Sequence, residues 1–148
     1  MKKLILLLLT ALMTLGAPAQ ESFKNKFNNV KGITSVFISN ALLGMDVSCA
    51  GFNLGPMAKK LDNIQIFNSE TKAAANMLKK GCLNIIAKEK YESLMNVNEA
   101  DEHNSIYMKQ FAGGMNQYVL LNVEEDETSI IVLTGKLTVD DIRKITEQ

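Results

Sequence analysis

The sequence predicts an α+β domain: a mixed or mostly antiparallel sheet of about six strands, with helices packed mainly on one face. Three observations carry this. An amphipathic segment of some twenty residues, "SETKAAANMLKKGCLNIIAKEK", sits mid-chain and reads as a helix. Four runs with a period of two follow Tyr91 in close succession, which is the pattern of an antiparallel meander. The chain then ends in "LTVDDIRKI", a helix start marked by a capping residue. Strands gathered late, with helices between the early ones, point to α+β rather than to an alternating α/β fold.

The 148-residue chain opens with "MKKLILLLLTALMTLGAPAQ". Two lysines, an apolar run and the small residues Ala17-Pro18-Ala19 form a secretory signal over residues 1–19, with cleavage expected before Gln20. The apolar stretch is too short for a membrane span, and no later run reaches spanning length, so stable membrane insertion after cleavage is not expected. No cysteine follows it to take a lipid. The expectation is an exported protein, periplasmic or extracellular, with one α+β domain over residues 20–148. Cleavage removes Lys2 and Lys3, so 16 basic residues become 14 against 16 acidic ones, a net charge of −2. Such a balance lacks the basic stripe that a phosphate backbone requires, and argues against a nucleic-acid partner.

Phe23, Phe27 and Val30 recur at helical spacing and predict a short helix ending at Gly32. "ITSVFIS", 33–39, is β-branched and aromatic and reads as the first strand. Ser39 or Asn40 then caps a short helix carrying Ala41, Leu42 and Met45. The glycine-rich stretch from Gly44 to Pro56 reads as turns, and a last helical turn through Met57 to Leu61 leads into a strand, "DNIQIFNS". For the main helix, Ser69 stands where an N-cap belongs, and Ala74, Met77, Leu78, Cys82, Ile85 and Ile86 form its apolar stripe. Gly81, inside that helix, costs about 1 kcal/mol against alanine, and is expected to admit a close neighbour. The four late strands are "YESLMNV", "SIYMKQFA", "NQYVLLNV" and "TSIIVLTG", joined by short polar or glycine-containing turns.

Candidate chemistry is sparse. His103 is the one histidine, set among Glu99, Asp101 and Glu102. With no second histidine a closed zinc site is not supported, and the segment reads as a solvated turn. "EEDET", 124–128, lacks the alternating ligands and central glycine of a calcium loop. The Gly135-Lys136 pair resembles part of a phosphate-binding loop, but Ile130 and Leu137 occupy the positions that need glycine and a hydroxyl. No nucleophile-base-acid set is visible. No catalytic residue, cofactor or metal is therefore predicted.

Two cysteines, Cys49 and Cys82, leave two readings open. In an oxidising compartment they can pair across some thirty residues, which would stabilise the fold by about 3–4 kcal/mol. Alternatively Cys82, on the stripe of the helix, is a small buried core residue, the more common state of such a cysteine.

The late strands carry apolar groups on both faces. If helices cover one face only, Tyr107, Phe111, Tyr118 and Leu120 are expected to form an exposed interaction patch. The alternative is that a helix or the N-terminal segment covers them. This patch, rather than any reactive group, is the candidate site.

With these segments in view, the chain resembles a family of exported Bacteroidota proteins, domain of unknown function four-two-five-two. The likeness rests on "ITSVFISNALL", "MAKKLDNIQIFNSET", "YESLMNV" and "SIIVLTGKLTVDDIRKI", in that order. It departs at Gln117-Tyr118, where the resemblance leads one to expect an acidic residue. The resemblance implies an envelope location, an α+β domain, no known activity, and a setting of cell-envelope regulation near extracytoplasmic sigma factors. Together these readings predict a non-catalytic interaction or regulatory module with a protein partner in the envelope, homodimerisation left open. The alternatives are a small-ligand carrier or a hydrolase working through carboxylates.

Overall fold

The computed structural model describes residues 21–43 and 55–147. The expected signal segment, Met45, the turns up to residue 54, and Cys49 with its pairing to Cys82, lie outside the described residues. The observed order is α1 (Ser22–Phe27), β1 (Ile33–Ser39), α2 (Asn40–Leu43), a 3-10 helix (Gly55–Lys60), β2 (Leu61–Ser69), α3 (Lys72–Lys88), β3 (Glu92–Asn98), β4 (Glu102–Gln110), a 3-10 turn (Ala112–Gly114), β5 (Asn116–Glu124), β6 (Thr128–Gly135) and α4 (Val139–Thr146). The six strands form one sheet in the order β1-β2-β6-β5-β4-β3, and every neighbouring pair is antiparallel. The α+β class follows: a meander of four strands, with the β1–β2 pair laid beside its last member.

Strand periodicity divides the core in two, because successive side chains leave opposite faces of a sheet. One face carries Phe67, Val119, Leu121, Ile130 and Val132 against Phe23 and Phe27 of α1 and the stripe of α3. The other carries Ile64, Ile66, Leu133, Tyr118, Ile106 and Met108, packed with Leu137 and with Ile142 and Ile145 of α4. Most helical mass thus lies on the first face, and α4 is the smaller cover on the second.

Local differences from the sequence reading have identifiable causes. α3 is capped by Thr71, whose Oγ1 accepts from the N–H of Ala74 at 3.1 Å. Ser69 instead finishes β2, its Oγ accepting from the N–H of Thr128 at 3.0 Å, so the sheet claims the residue that composition offers to the helix. Met77 is 50% exposed. It lies about 100° around the axis from Leu78, on the flank of a stripe made instead by Ala74, Ala75, Leu78, Gly81, Cys82, Ile85 and Ile86. Leu61 begins β2 rather than ending a helix, and pairs with Gly135 across an irregularity between Leu61 and Asn63. α1 stops at Phe27, after which Asn29 takes a left-handed conformation (φ 60°).

Two glycines are fixed by close approach. A Cβ on Gly81 would lie 2.8 Å from ring carbons of Phe27, which is how α1 rests on α3. A Cβ on Gly135 would stand 2.3 Å from the carbonyl oxygen of Lys60, a backbone atom that cannot move aside. The chain there is clamped, with the N–H of Lys136 donating to that same oxygen at 2.9 Å.

Beyond the clamp, α4 starts with the capping box that the sequence suggests. Thr138 Oγ1 accepts from the N–H of Asp141 at 3.2 Å, and Asp141 Oδ2 accepts from the N–H of Thr138 at 2.9 Å. Lys60 Nζ donates to both carboxylate oxygens of Asp141 at 3.1 Å. The Thr138 backbone bond first, and then Lys60, hold this carboxyl below its ordinary range although burial opposes them. A carboxyl with a depressed folded pKa stabilises above its unfolded value, and that contribution is lost as pH falls through the folded one. Asp141→Asn should therefore cost about 1 kcal/mol at neutral pH, measured by urea unfolding. The gap from the unmodified protein should close as pH falls below about 4; a gap that persists in acid would remove the charge as its cause.

Candidate functional site

The sheet register decides which of the expected patch residues meet. Tyr107 pairs with Val119, Met108 with Tyr118, and Ile106 with Leu120. Paired residues share a face, so Tyr107 belongs with Val119 on the α3 side, and it packs against that cluster. Tyr118 and Leu120 belong to the opposite side, with Ile106 and Met108. The expected patch of Tyr107, Phe111, Tyr118 and Leu120 is therefore split between the two faces, and the reason is one residue of register. The connection 111–115 between Gln110 and Asn116 aligns odd positions of β4 with odd positions of β5, and a slip of one would invert every side chain.

Burial separates the four further. Tyr118 is fully buried, and its hydroxyl donates to the carbonyl of Leu137 at 2.9 Å. Asn116 Nδ2 donates to the same carbonyl at 2.8 Å. Tyr118 is thus a fixture of the core under α4. Phe111, just past β4, is half-buried with the Lys109 ammonium 5.2 Å from its ring centroid. Tyr107 is half-buried, and so is Leu120, which flanks the α4-side core.

α4 reaches only part of its face. Past its end at Thr146 the sheet surface is uncovered among the described residues, forming a groove of about 340 Å³. Its floor is Ile106, Leu120 and Ile131, and Met95 and Val97 of β3 make one wall. Those two are 37% and 39% exposed, a concentration of apolar surface that β3 owes to its position at the sheet margin. The far end is polar. Asn122 Nδ2 donates to Asn104 Oδ1 and to Glu102 Oε1, both at 2.6 Å, and Asn104 Nδ2 donates to the same carboxylate oxygen at 3.1 Å. The groove therefore offers apolar contact along its length and a fixed set of amide and carboxylate groups at one end. Patterning gave a partial signal, in the apolar groups on both faces of β4 and β5. The contribution of β3 was missed, because a seven-residue strand does not announce whether it is central or marginal.

A second cavity, of about 420 Å³, lies on the α3 side between Asn76 and Lys79 of the helix and Asp101, His103, Glu124 and Glu125 at the sheet end; His103 lies not in a turn, as the sequence suggests, but in β4, paired with Val123. His103 Nδ1 is hydrogen-bonded with Asn98 Oδ1 at 2.9 Å. Among the described residues no group of three or more His, Cys, Asp and Glu side chains is placed to hold a metal ion.

Of the other buried polar groups, Gln65 Oε1 and Glu89 Oε2 have no hydrogen-bond partner among the described residues, whereas Tyr91, Gln117 and Thr134 are joined to one another. The Tyr91 hydroxyl donates to Gln117 Oε1, and Gln117 Nε2 donates to Thr134 Oγ1 at 3.1 Å. Burial, and then the charge of Glu89, push the Tyr91 phenol above its ordinary range. The amide of Gln117 suits this position because it accepts from one hydroxyl while donating to another. Cys82 is fully buried, and burial pushes its thiol up to about 12. So little thiolate forms at neutral pH that the side chain is a packing group rather than a nucleophile.

The family model described as Domain of unknown function (DUF4252) matches residues 27–145. The chain belongs to this family. The DUF4252 match takes in all six strands, every groove residue but Thr146, and the last buried residue of α4, Ile145. Comparison with curated proteins and with solved structures yields no match. Among the described residues no helix is long and apolar enough to cross a membrane.

The core under α4 and the wall of the groove should respond differently to polar substitution. Tyr118→Ser removes a fully buried ring and should cost about 3–5 kcal/mol. Val97→Ser, at the wall, should change stability by less than about 1 kcal/mol. Urea midpoints check both, and comparable losses would place Val97 in the core.

Proposed function

We propose that the protein is an exported, non-catalytic interaction module of the cell envelope, and that it holds an extended apolar segment of a partner protein in the groove beyond α4. The observation that carries this is the open apolar floor of Ile106, Leu120 and Ile131, walled by the exposed Met95 and Val97. Contiguous exposed apolar surface rimmed by polar groups is characteristic of binding sites. The Asn104–Asn122–Glu102 cluster gives the apolar strip a directional end, suited to backbone amides of a bound chain. Export rests on the signal-like pattern of residues 1–19, and an oxidising destination is compatible with a Cys82 thiol shielded by burial.

A small-ligand carrier is the second reading. It is favoured by the size of the groove, which falls within the range of small-molecule pockets. An open trough leaves more of a small ligand in water than such pockets do, and this favours the protein partner.

The test is photo-crosslinking in the native cell, with a photoreactive residue in place of Leu120 in the groove and, separately, in place of Lys79 on α3. A discrete adduct with a different envelope protein is expected from position 120 and not from position 79. Absence of any protein adduct at 120, or the same adduct from both positions, would overturn the reading. Export is checked in the same cells, since the adduct should fractionate with the envelope.

A further inference from the structure

The cleft on the α3 side owes its space to small side chains near the start of the helix. α3 opens with Lys72 and then three alanines, and the last of them, Ala75, lines the cleft. Asn76 and Lys79, three positions apart and so on one side of the helix, complete that wall. The opposite wall follows from strand register. His103 and Thr128 both pair with Val123, so the three share the α3 face. Asp101 and Glu125 stand two positions beyond His103 and Val123 and continue those rows, whereas Glu124 pairs with Glu102 on the groove face. Two contacts tie the walls together. The N–H of Thr128 donates to Ser69 Oγ at 3.0 Å, and Lys72 Nζ stands 3.7 Å from Asp126 Oδ1.

Several groups in the cleft lack the partners their chemistry calls for. Thr128 is only 2% exposed, and its hydroxyl has no hydrogen-bond partner among the described residues. A hydroxyl so buried costs stability unless it is bonded, and the cleft that Thr128 lines is where a partner can reach it. Among the described residues Lys79, Asp101 and Glu125 form no ion pair. Their charges are opposite and stand on opposite walls, too far apart to meet. His103 Nδ1 is taken by Asn98, which leaves Nε2 for a ligand.

We propose that the cleft binds a small zwitterion of the amino-acid class, a free α-amino acid or a short peptide, with its ammonium against Asp101 and Glu125 and its carboxylate on Lys79. A simple cation would leave Lys79 unpaired, and a simple anion would face two carboxylates. A molecule that carries both charges satisfies each wall. The Thr128 hydroxyl, able to donate and to accept, bonds the polar atom that lies deepest. A volume of about 420 Å³ falls within the range of small-molecule sites. The inference is independent of the partner-binding reading, because the groove lies on the other face of the sheet.

Titration of the purified, nitrogen-15-labelled protein, followed by amide NMR shifts, tests it. The probes are L-alanine and L-alanyl-L-alanine, with N-acetyl-L-alanine and L-alaninamide as relatives that each lack one charge. Both zwitterions should shift amides within 75–79, 101–103 and 123–128, and the tighter of the two identifies a free amino acid or a peptide as the natural class. Each singly charged relative should bind about tenfold more weakly than alanine. In Lys79→Gln, alanine and alaninamide should bind alike; in Asp101→Asn with Glu125→Gln, alanine and N-acetylalanine should bind alike. The three replaced side chains are exposed, so melting should not change. Val97→Ser, in the groove, should leave every affinity as it was. No shift from either zwitterion at millimolar concentration, equal binding of alanine and its singly charged relatives, or a preference for alanine over alaninamide that survives Lys79→Gln would each overturn the proposal. So would calcium chloride alone, if it produced the same shifts and blocked the effect of alanine.

Discussion

A sheet with apolar side chains on both faces needs cover on both, and here the second cover hangs from one carboxylate. Asp141 ties three things together. It closes the capping box that starts α4, receives the ammonium of Lys60, and thereby fixes the helix to the segment entering β2. Beside it, the Lys60 carbonyl is bonded by Lys136 and pressed against Gly135, while the Leu137 carbonyl takes the Tyr118 hydroxyl and the Asn116 amide. The placement of α4, and hence where the second face is closed and where it stays open, depends on this junction. An ion pair with a half-exposed lysine contributes little alone. Its value here is in adding a second tether to a carboxylate already hydrogen-bonded by the helix start.

How much of this was legible in the sequence depends on whether the determinant is local. The capping box at Thr138 and Asp141 was readable from four residues, because the interaction spans only three positions. The meander was readable because its strands alternate and its turns are short. Gly81 was readable as a point of close approach, though not its neighbour Phe27, since nothing local names a contact more than fifty residues away. Thr71 in place of Ser69 as the α3 cap follows from the bond between Ser69 and Thr128, a sheet contact across fifty-nine residues. The division of Tyr107 from Tyr118 turned on the β4–β5 register, where one residue in the connection inverts the outcome. The groove was the least legible feature, because it exists where α4 ends, and a gap in cover leaves no motif.

The two faces also differ in character. The α3 side is sealed by aromatic rings and a long helix, with the Phe27 ring against both Phe23 and Phe67 and Tyr91 edge-on to Phe23. Its buried polar chain of Tyr91, Gln117 and Thr134 is internally satisfied. The α4 side is aliphatic and methionine-lined, and it opens toward the sheet margin. The long helix and the rings thus close one face along its length, while α4 covers the other in part. The DUF4252 match, over residues 27–145, takes in all six strands and so contributes to both faces.

The position of β6 between β5 and β2 has a consequence in time. β3, β4, β5 and β6 are joined by short turns, and each pairing closes over only a few intervening residues. β2 must return to β6 across α3 and the whole meander, with Asn68 meeting Ser129 and Leu61 meeting Gly135. Closing so long a loop is entropically slower than zipping a hairpin. The expected order is a meander that assembles first and a β1–β2 pair that docks onto β6 afterwards. Until it docks, β6 is itself an unguarded margin, made of "TSIIVLTG". In the interval before docking, this segment, rather than the finished surface, is the one most exposed to misassociation, and pulsed hydrogen exchange would show its amides protected on the β5 side first.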